Sequence, residues 1–293
     1  MGDAIPLDSN WLRANPLPEP DPHADKNARG RLFVIGGCTR VPGGLLLTAE
    51  AAFRAGAGKV QVATTASTAL ALGIAMPEIA VFSLAENGEG EITHLDEALG
   101  EHIERSDAIL AGPAMGEGEA AGKIVDRLLV EVCNAIPLIL DAAALMNLRH
   151  RARVIRDRPS PAVLTPHIGE MAAMLDCDAQ AIEEDREGAV RSAANHFGAI
   201  VVLKGSTTLV ADCTGSLFAY AGGGVGLATG GSGDVLAGIA AGLAARGASP
   251  LDATLWAVWL HGEAGRRCAE QIGPLGFLAR ELLAHVPGLM RAL

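Results

Sequence analysis

The chain has 293 residues, enough for one large domain or two small ones and for a sizeable core without disulfides or metals. Its net charge of −11 disfavours binding to nucleic acid, because neutralising phosphates needs clustered Lys and Arg; backbone amides can still hold a small anion locally. It is 49% hydrophobic, yet its most apolar stretch, Val235 to Ala245, is closed by Asp234 and Arg246 and is far shorter than the ~20 residues of a membrane span.

Residues 1–28 carry Pro6, Pro16, Pro18, Pro20 and Pro22 and lack the apolar core of a secretory leader. They read as a Pro-rich N-terminal segment before a single catalytic domain over 29–293, and the protein is expected to be cytoplasmic. Arg31 to Ile35 reads as a buried strand followed by Gly36-Gly37. From Gly43, apolar residues recur at helical spacing until Gly56. Lys59 to Thr64 and Ala108 to Ala111 are further strands, the second closed by Gly112-Pro113. A helix is expected from about Glu117 to Val132. Pro137 to Leu140 and Ala162 to Leu164 are strands ending at Asp141 and Thr165-Pro166, and Ala199 to Leu203 ends at Lys204-Gly205. Thr207 to Ala211 and Leu217 to Tyr220 form a hairpin. Helices follow at about Gly233–Arg246, Pro250–Glu270 and Phe277–Val286, with Ser249, Pro250 and Asp252 as an N-terminal cap for the middle one.

Alternation of apolar strand, glycine and helix predicts an α/β fold, a mostly parallel sheet with helices on both faces. Ligands then bind beyond the carboxyl ends of the strands. The five cysteines are scattered, which excludes a C-x-x-C motif and predicts buried reduced thiols.

The strongest local feature is Gly222 to Asp234, with seven glycines in thirteen residues. Such density costs backbone entropy but lets amides approach an anion closely, and the helix opening at Gly233 adds free amides and the positive end of its dipole. The segment predicts a phosphate site centred on Gly230 to Asp234. A plain helix cap is the alternative role for Asp234. No G-x-x-x-x-G-K-[ST] loop occurs, and Asp234 stands where a nucleophile elbow around Ser232 needs glycine.

Gly116-Glu-Gly118-Glu-Ala-Ala121 outlines a dinucleotide fingerprint, but Gly112 to Met115 separates it from its strand. His167 and Glu170 sit at a strand end and helix start, open to a structural or a functional role. Lys204, at the end of a buried strand, either reaches a phosphate or caps a helix. Trp256 and Trp259 share a helical stripe and read as core. No spacing suits zinc, and no metal ligand is assigned.

In this order the motifs resemble the ribokinase-like NAD(P)H-hydrate dehydratases. The matching stretches are Val34-Ile-Gly-Gly37, Ala51 to Gly58, Ala111-Gly-Pro113, Leu140-Asp141, Leu164-Thr-Pro-His-Ile-Gly-Glu170, Val202-Leu-Lys-Gly205, Thr229 to Gly238 and His261-Gly262. The resemblance implies a three-layer ribokinase-like fold and repair of hydrated NADH or NADPH. In that reaction ADP or ATP, with Mg2+, phosphorylates the ring hydroxyl and phosphate is eliminated. It implies Asp234 as general base, with amides of Gly231 and Gly233 on the phosphoryl group. Gly233 and Lys204, Gly205, Ser206, Thr207 and Thr208 would contact the nucleotide. Gly44, Gly112, His167 and Asp234 would meet the hydrate. It also implies a homo-oligomer, commonly a tetramer, while charge and the lack of a long apolar stretch predict no nucleic-acid or membrane partner.

Three positions depart from the family pattern: Ala114 and Ala143 stand where glycine and aspartate are usual, and Ser232 replaces threonine. The loss at position 143 is expected to remove a carboxylate near the site. A small-molecule kinase acting on a vitamin-like alcohol, or a nucleotide-binding regulator with weakened catalysis, are the alternative functions.

Overall fold

The computed structural model describes residues 3–116, 118–131 and 135–293. The strands are β1 (Ile5–Pro6), β2 (Arg31–Ile35), β3 (Lys59–Thr65), β4 (Ala80–Leu84), β5 (Ala108–Ala111), β6 (Leu138–Leu140), β7 (Val163–Leu164), β8 (Ile200–Leu203), β9 (Thr207–Ala211) and β10 (Leu217–Ala221). The helices before β8 are α1 (Ser9–Ala14), α2 (Gly44–Arg54), α3 (Ala66–Ala75), α4 (Gly100–Glu104), α5 (Glu119–Glu131), α6 (Ala152–Arg156), α7 (Ile168–Leu175), α8 (Ala179–Glu184) and α9 (Arg186–Phe197). After β10 come α10 (Ser232–Ala245), α11 (Pro250–Gln271), α12 (Ala279–Leu282) and α13 (Val286–Arg291).

All ten strands form one sheet in the order β1-β10-β9-β8-β7-β6-β5-β2-β3-β4. Only the pairings of β9, with β8 and β10, are antiparallel. Side chains alternate across the sheet: Leu32 and Val34 of β2 join one apolar cluster with α2, α10 and α11, while Phe33 and Ile35 join a second with α5, α7 and α9. The result is a three-layer α/β fold buried on both faces, as the continuous apolar strands predict.

The hairpin β9–β10 turns where expected, with Asp212 Oδ1 accepting from the amides of Thr214 and Ser216 at 2.9 Å each. Ser249 caps α11 by accepting from the Asp252 amide, with Pro250 in the first turn. Trp256 and Trp259 are core residues. Val235 to Ala245 is the buried helix expected, and among the described residues no helix is long and apolar enough to cross a membrane.

Other expectations need correction. The pair α3–β4 is not among the elements that periodicity predicts, because α3 is apolar on both faces, with Leu70 and Ile74 exposed and no amphipathic stripe. The helix expected over Phe277–Val286 is broken into α12, a 3-10 turn at Leu283–His285 and α13. Cys38 and Cys268 are buried, but Cys177 and Cys213 are exposed free thiols. Cys133 and the ends of the helix expected from Glu117 to Val132 lie outside the described residues. Within residues 1–28, Asp8 caps α1, Leu12 is fully buried, and β1 pairs in parallel with β10.

Candidate active site

The site begins with the contact between α2 and α10. A Cβ on Gly238 would lie 2.4 Å from the Thr48 carbonyl oxygen, and one on Gly242 would lie 2.6 Å from that of Ala52. Two glycines one turn apart therefore let the helices meet backbone to backbone. That approach carries the first turn of α10 to the start of α2, where a Cβ on Gly44 would stand 3.3 Å from Asp234 Oδ2.

Gly231 precedes α10 with φ +87, a left-handed conformation that costs a residue with a Cβ roughly 1–2 kcal/mol. It has no side chain to cap the helix, so the first-turn amides of Gly233 and Asp234 stay available to an anion. Asp234 is the third residue of α10 and makes no cap hydrogen bond, so it is not a plain helix cap. Burial, reinforced by the Asp141 charge and opposed by Lys204, raises its pKa to about 7. That value suits a general base working near neutrality.

Lys204 directly follows β8, with its ammonium between two carboxylates, 3.1 Å from Asp141 Oδ1 and 3.4 Å from Glu170 Oε2. Burial pulls its pKa down, but those two charges prevail and hold it above the ordinary value. A Cβ on Gly233 would lie 3.7 Å from Lys204 Nζ, so this cation borders the start of α10. In this arrangement Lys204 neutralises a buried acidic pair. Asp141, from the end of β6, also accepts from Thr165 Oγ1 at 2.7 Å.

His167 caps α7 in a reciprocal box: its Nδ1 accepts from the Glu170 amide, and Glu170 Oε2 accepts from the His167 amide. Because Nδ1 is the acceptor, the neutral ring carries its proton on Nε2, which lies 3.5 Å from Glu170 Oε1. His167 thus orients Glu170, which in turn fixes Lys204. Gly112, at φ +111, packs so closely on the Asp141 carbonyl that a Cβ would fall 1.8 Å from it. Gly205 and Ser206 follow Lys204 in an exposed turn, and Thr207 and Thr208 lead into β9. Arg186 clamps this segment, donating to the Thr207 carbonyl at 3.0 Å.

The candidate residues Asp234, Gly231, Gly233, Lys204, Gly44, Gly112 and His167 therefore converge at the carboxyl ends of β5, β6, β7 and β8. Glu170 and Arg186 complete the cluster without having been assigned a role; the position of Glu170 one turn after His167 was the available signal. Ala114 adopts φ +53, a conformation suited to the glycine usual in the family, and its Cβ faces Gly44. Ala143 is 2% exposed inside the second apolar cluster, so a methyl group occupies buried space there. The rival fingerprint at Gly116 and Gly118 packs instead on the Glu91 carboxylate, a poor neighbour for a pyrophosphate. Among the described residues no three His, Cys, Asp or Glu side chains converge as a metal site.

An uncapped helix start and a carboxylate of raised pKa, at the carboxyl ends of a largely parallel sheet, make a site suited to a phosphoryl group. The three-layer architecture is that of the ribokinase-like α/β proteins, a similar member of which is solved from Enterococcus faecalis with a TM-score of 0.83 and 25% identity. The solved structure of the ADP/ATP-dependent NAD(P)H-hydrate dehydratase of Bacillus subtilis, crystallised with ATP and Mg2+, is similar with a TM-score of 0.84 and 26% identity, covering 99% of both chains. The ADP-dependent (S)-NAD(P)H-hydrate dehydratase of Xanthomonas campestris is 45% identical over 280 residues, 95% of this chain and 93% of that protein. The bifunctional NAD(P)H-hydrate repair enzyme of Moorella thermoacetica is 36% identical over 289 residues, and the chain spans 54% of its length. The model of the NAD(P)H-hydrate dehydratase family matches residues 32–287, and the chain belongs to that family.

Proposed function

We propose that the protein is a nucleotide-dependent (S)-NAD(P)H-hydrate dehydratase that returns hydrated NADH or NADPH to the reduced cofactor. The observation that carries this is Asp234, a half-buried carboxylate of pKa about 7 in the first turn of an uncapped helix, beside Gly44. Hydroxide is a poor leaving group, and a phosphate ester is a good one. Asp234 takes the proton of the ring hydroxyl as its oxygen attacks the terminal phosphorus of ADP or ATP. The bond to the bridging oxygen breaks, and the nucleotide leaves one phosphate shorter. The amides of Gly231, Gly233 and Asp234 face the charge on the transferring group. The ring nitrogen lone pair then expels inorganic phosphate as the C–O bond breaks, and loss of a proton from the adjacent carbon restores the double bond.

In this reading Lys204 and the Gly205–Thr208 segment border the nucleotide, while Gly44, Gly112 and His167 border the hydrate. Asp141 and Glu170 are both engaged by Lys204, a donor set that does not fit a resident Mg2+. It fits an ion that arrives with the nucleotide, whose phosphates supply most of its ligands. A cytoplasmic homotetramer is the setting proposed with this activity, testable by light scattering.

Incubating the pure protein with hydrated NADH or NADPH, Mg2+ and ADP or ATP should restore the absorbance of the reduced ring and release phosphate. No recovery with either nucleotide overturns the proposal. A stable phosphorylated product without phosphate release would make the protein a kinase.

A further inference from the structure

The first turn of α10 is joined to the rest of the molecule by a bond that the chemistry above does not use. Ser232, the first residue of that helix, is 7% exposed and directs its hydroxyl inward, with Oγ 2.9 Å from Nε2 of His261. His261 lies midway along α11, the long helix packed on α10. Its own position is tightly set. The next residue, Gly262, admits the Tyr220 ring so closely that a Cβ would fall 2.1 Å from it, and Tyr220 donates to Glu263 Oε1 at 3.1 Å.

The turn needs such an anchor. It follows a run of glycines whose free chain explores many conformations, and Gly231 supplies no cap. Among the described residues, it is the His261 ring that hydrogen-bonds this turn from another helix, at Ser232. Burial holds the His261 pKa down at about 4, with a hydrogen bond to the Ser232 backbone opposing and the Lys204 charge assisting. The ring is therefore neutral around pH 7 and adds no cation beside Lys204. The threonine usual in the family would keep the hydroxyl.

We propose that His261 is a positioning residue for the phosphoryl site: through Ser232 Oγ it fixes the first turn of α10 where the Gly233 and Asp234 amides and the Asp234 carboxylate meet the transferring group. The inference rests on the phosphoryl-transfer reading above. His261 touches no reacting atom and acts only through the helix start.

The test compares His261→Ala, Ser232→Ala, the double variant and His261→Gln, after wild-type turnover of the hydrate has been established. Each alanine variant should lower kcat roughly three- to tenfold, the effect of one neutral hydrogen bond, with a smaller change in KM for the hydrate. The double variant should lose no more than His261→Ala alone, because that change already removes every bond from position 261 to Ser232. Glutamine, which presents an amide group near the Nε2 position, should recover most of kcat. Multiplicative losses in the double variant, or a lowered melting temperature with wild-type kcat, overturn the proposal. Should His261→Ala not fold, Ser232→Ala with wild-type kcat overturns it and a three- to tenfold loss supports it. Wild-type protein unable to convert the hydrate refutes the function and leaves this inference to nucleotide affinity. Calorimetry with ADP and ATP then applies the same criteria: weaker binding in each alanine variant, no further loss in the double one and recovery by glutamine.

Discussion

Replacing Asp234 by asparagine should make the protein more stable and nearly inactive at once. In the fold its pKa stands at about 7 against an ordinary 3.8, so the native state resists ionising a group that the unfolded chain ionises freely. The gap is about three powers of ten at about 1.36 kcal/mol each, or a ceiling of about 4 kcal/mol. Partial contact with water and the nearby Lys204 reduce this to roughly 1–3 kcal/mol. The sign follows from linkage: for a raised carboxyl pKa, stability is fully present below 3.8 and is lost as pH rises towards about 7. Asparagine does not suffer that loss. Thermal melting above about pH 8 should therefore place Asp234→Asn ~2–8 °C above the wild type, and the gain should vanish below about pH 4. Turnover of the hydrate should fall by about 10²–10⁴, the usual contribution of a general base. A variant no more stable than wild type in alkali, or one with wild-type turnover, would refute the assignment of Asp234 as a strained base.

Lys204→Met leaves the Asp141 and Glu170 carboxylates facing each other, their side chains only 3% and 11% exposed, and should cost about 2–4 kcal/mol in urea unfolding. The same change removes the charge that restrains the Asp234 pKa, so the acid limb of kcat/KM should move above its wild-type position near 7. Gly231→Ala forces a Cβ onto φ +87 and should lower stability by about 1–2 kcal/mol while weakening nucleotide binding in calorimetry. Gly238→Val would drive a side chain into the Thr48 carbonyl, 2.4 Å from the new Cβ. Because backbone cannot yield as a flexible side chain does, this variant should lose both melting temperature and turnover, the second through displacement of Asp234 from Gly44.

The elements around the site were legible because their causes are local. Apolar runs ended by glycine marked β2, β5 and β8, and Ser249-Pro250 marked the start of α11. Glycine density together with the helix opening at Gly233 pointed to an anion at Gly230–Asp234. The α3–β4 unit was not legible, since α3 is apolar on both faces and periodicity carries no signal there. The departure at position 143 read as a carboxylate lost near the site; the burial of Ala143 in an apolar cluster is visible only in three dimensions.

By itself, then, the sequence determined the fold class, the position of the glycine-rich start of α10 and the order of motifs that marks the family. These depend on backbone freedom, caps and hydrophobic patterning within short windows. Tertiary structure alone decided the electrostatics. Lys204 meets Asp141 across 63 residues, and Ser232 meets His261 across 29. The pKa of Asp234 follows from desolvation and from charges brought in by other strands. Such effects depend on distance in space and on exclusion of water, and neither exists until the sheet and its two helical layers have closed around the site.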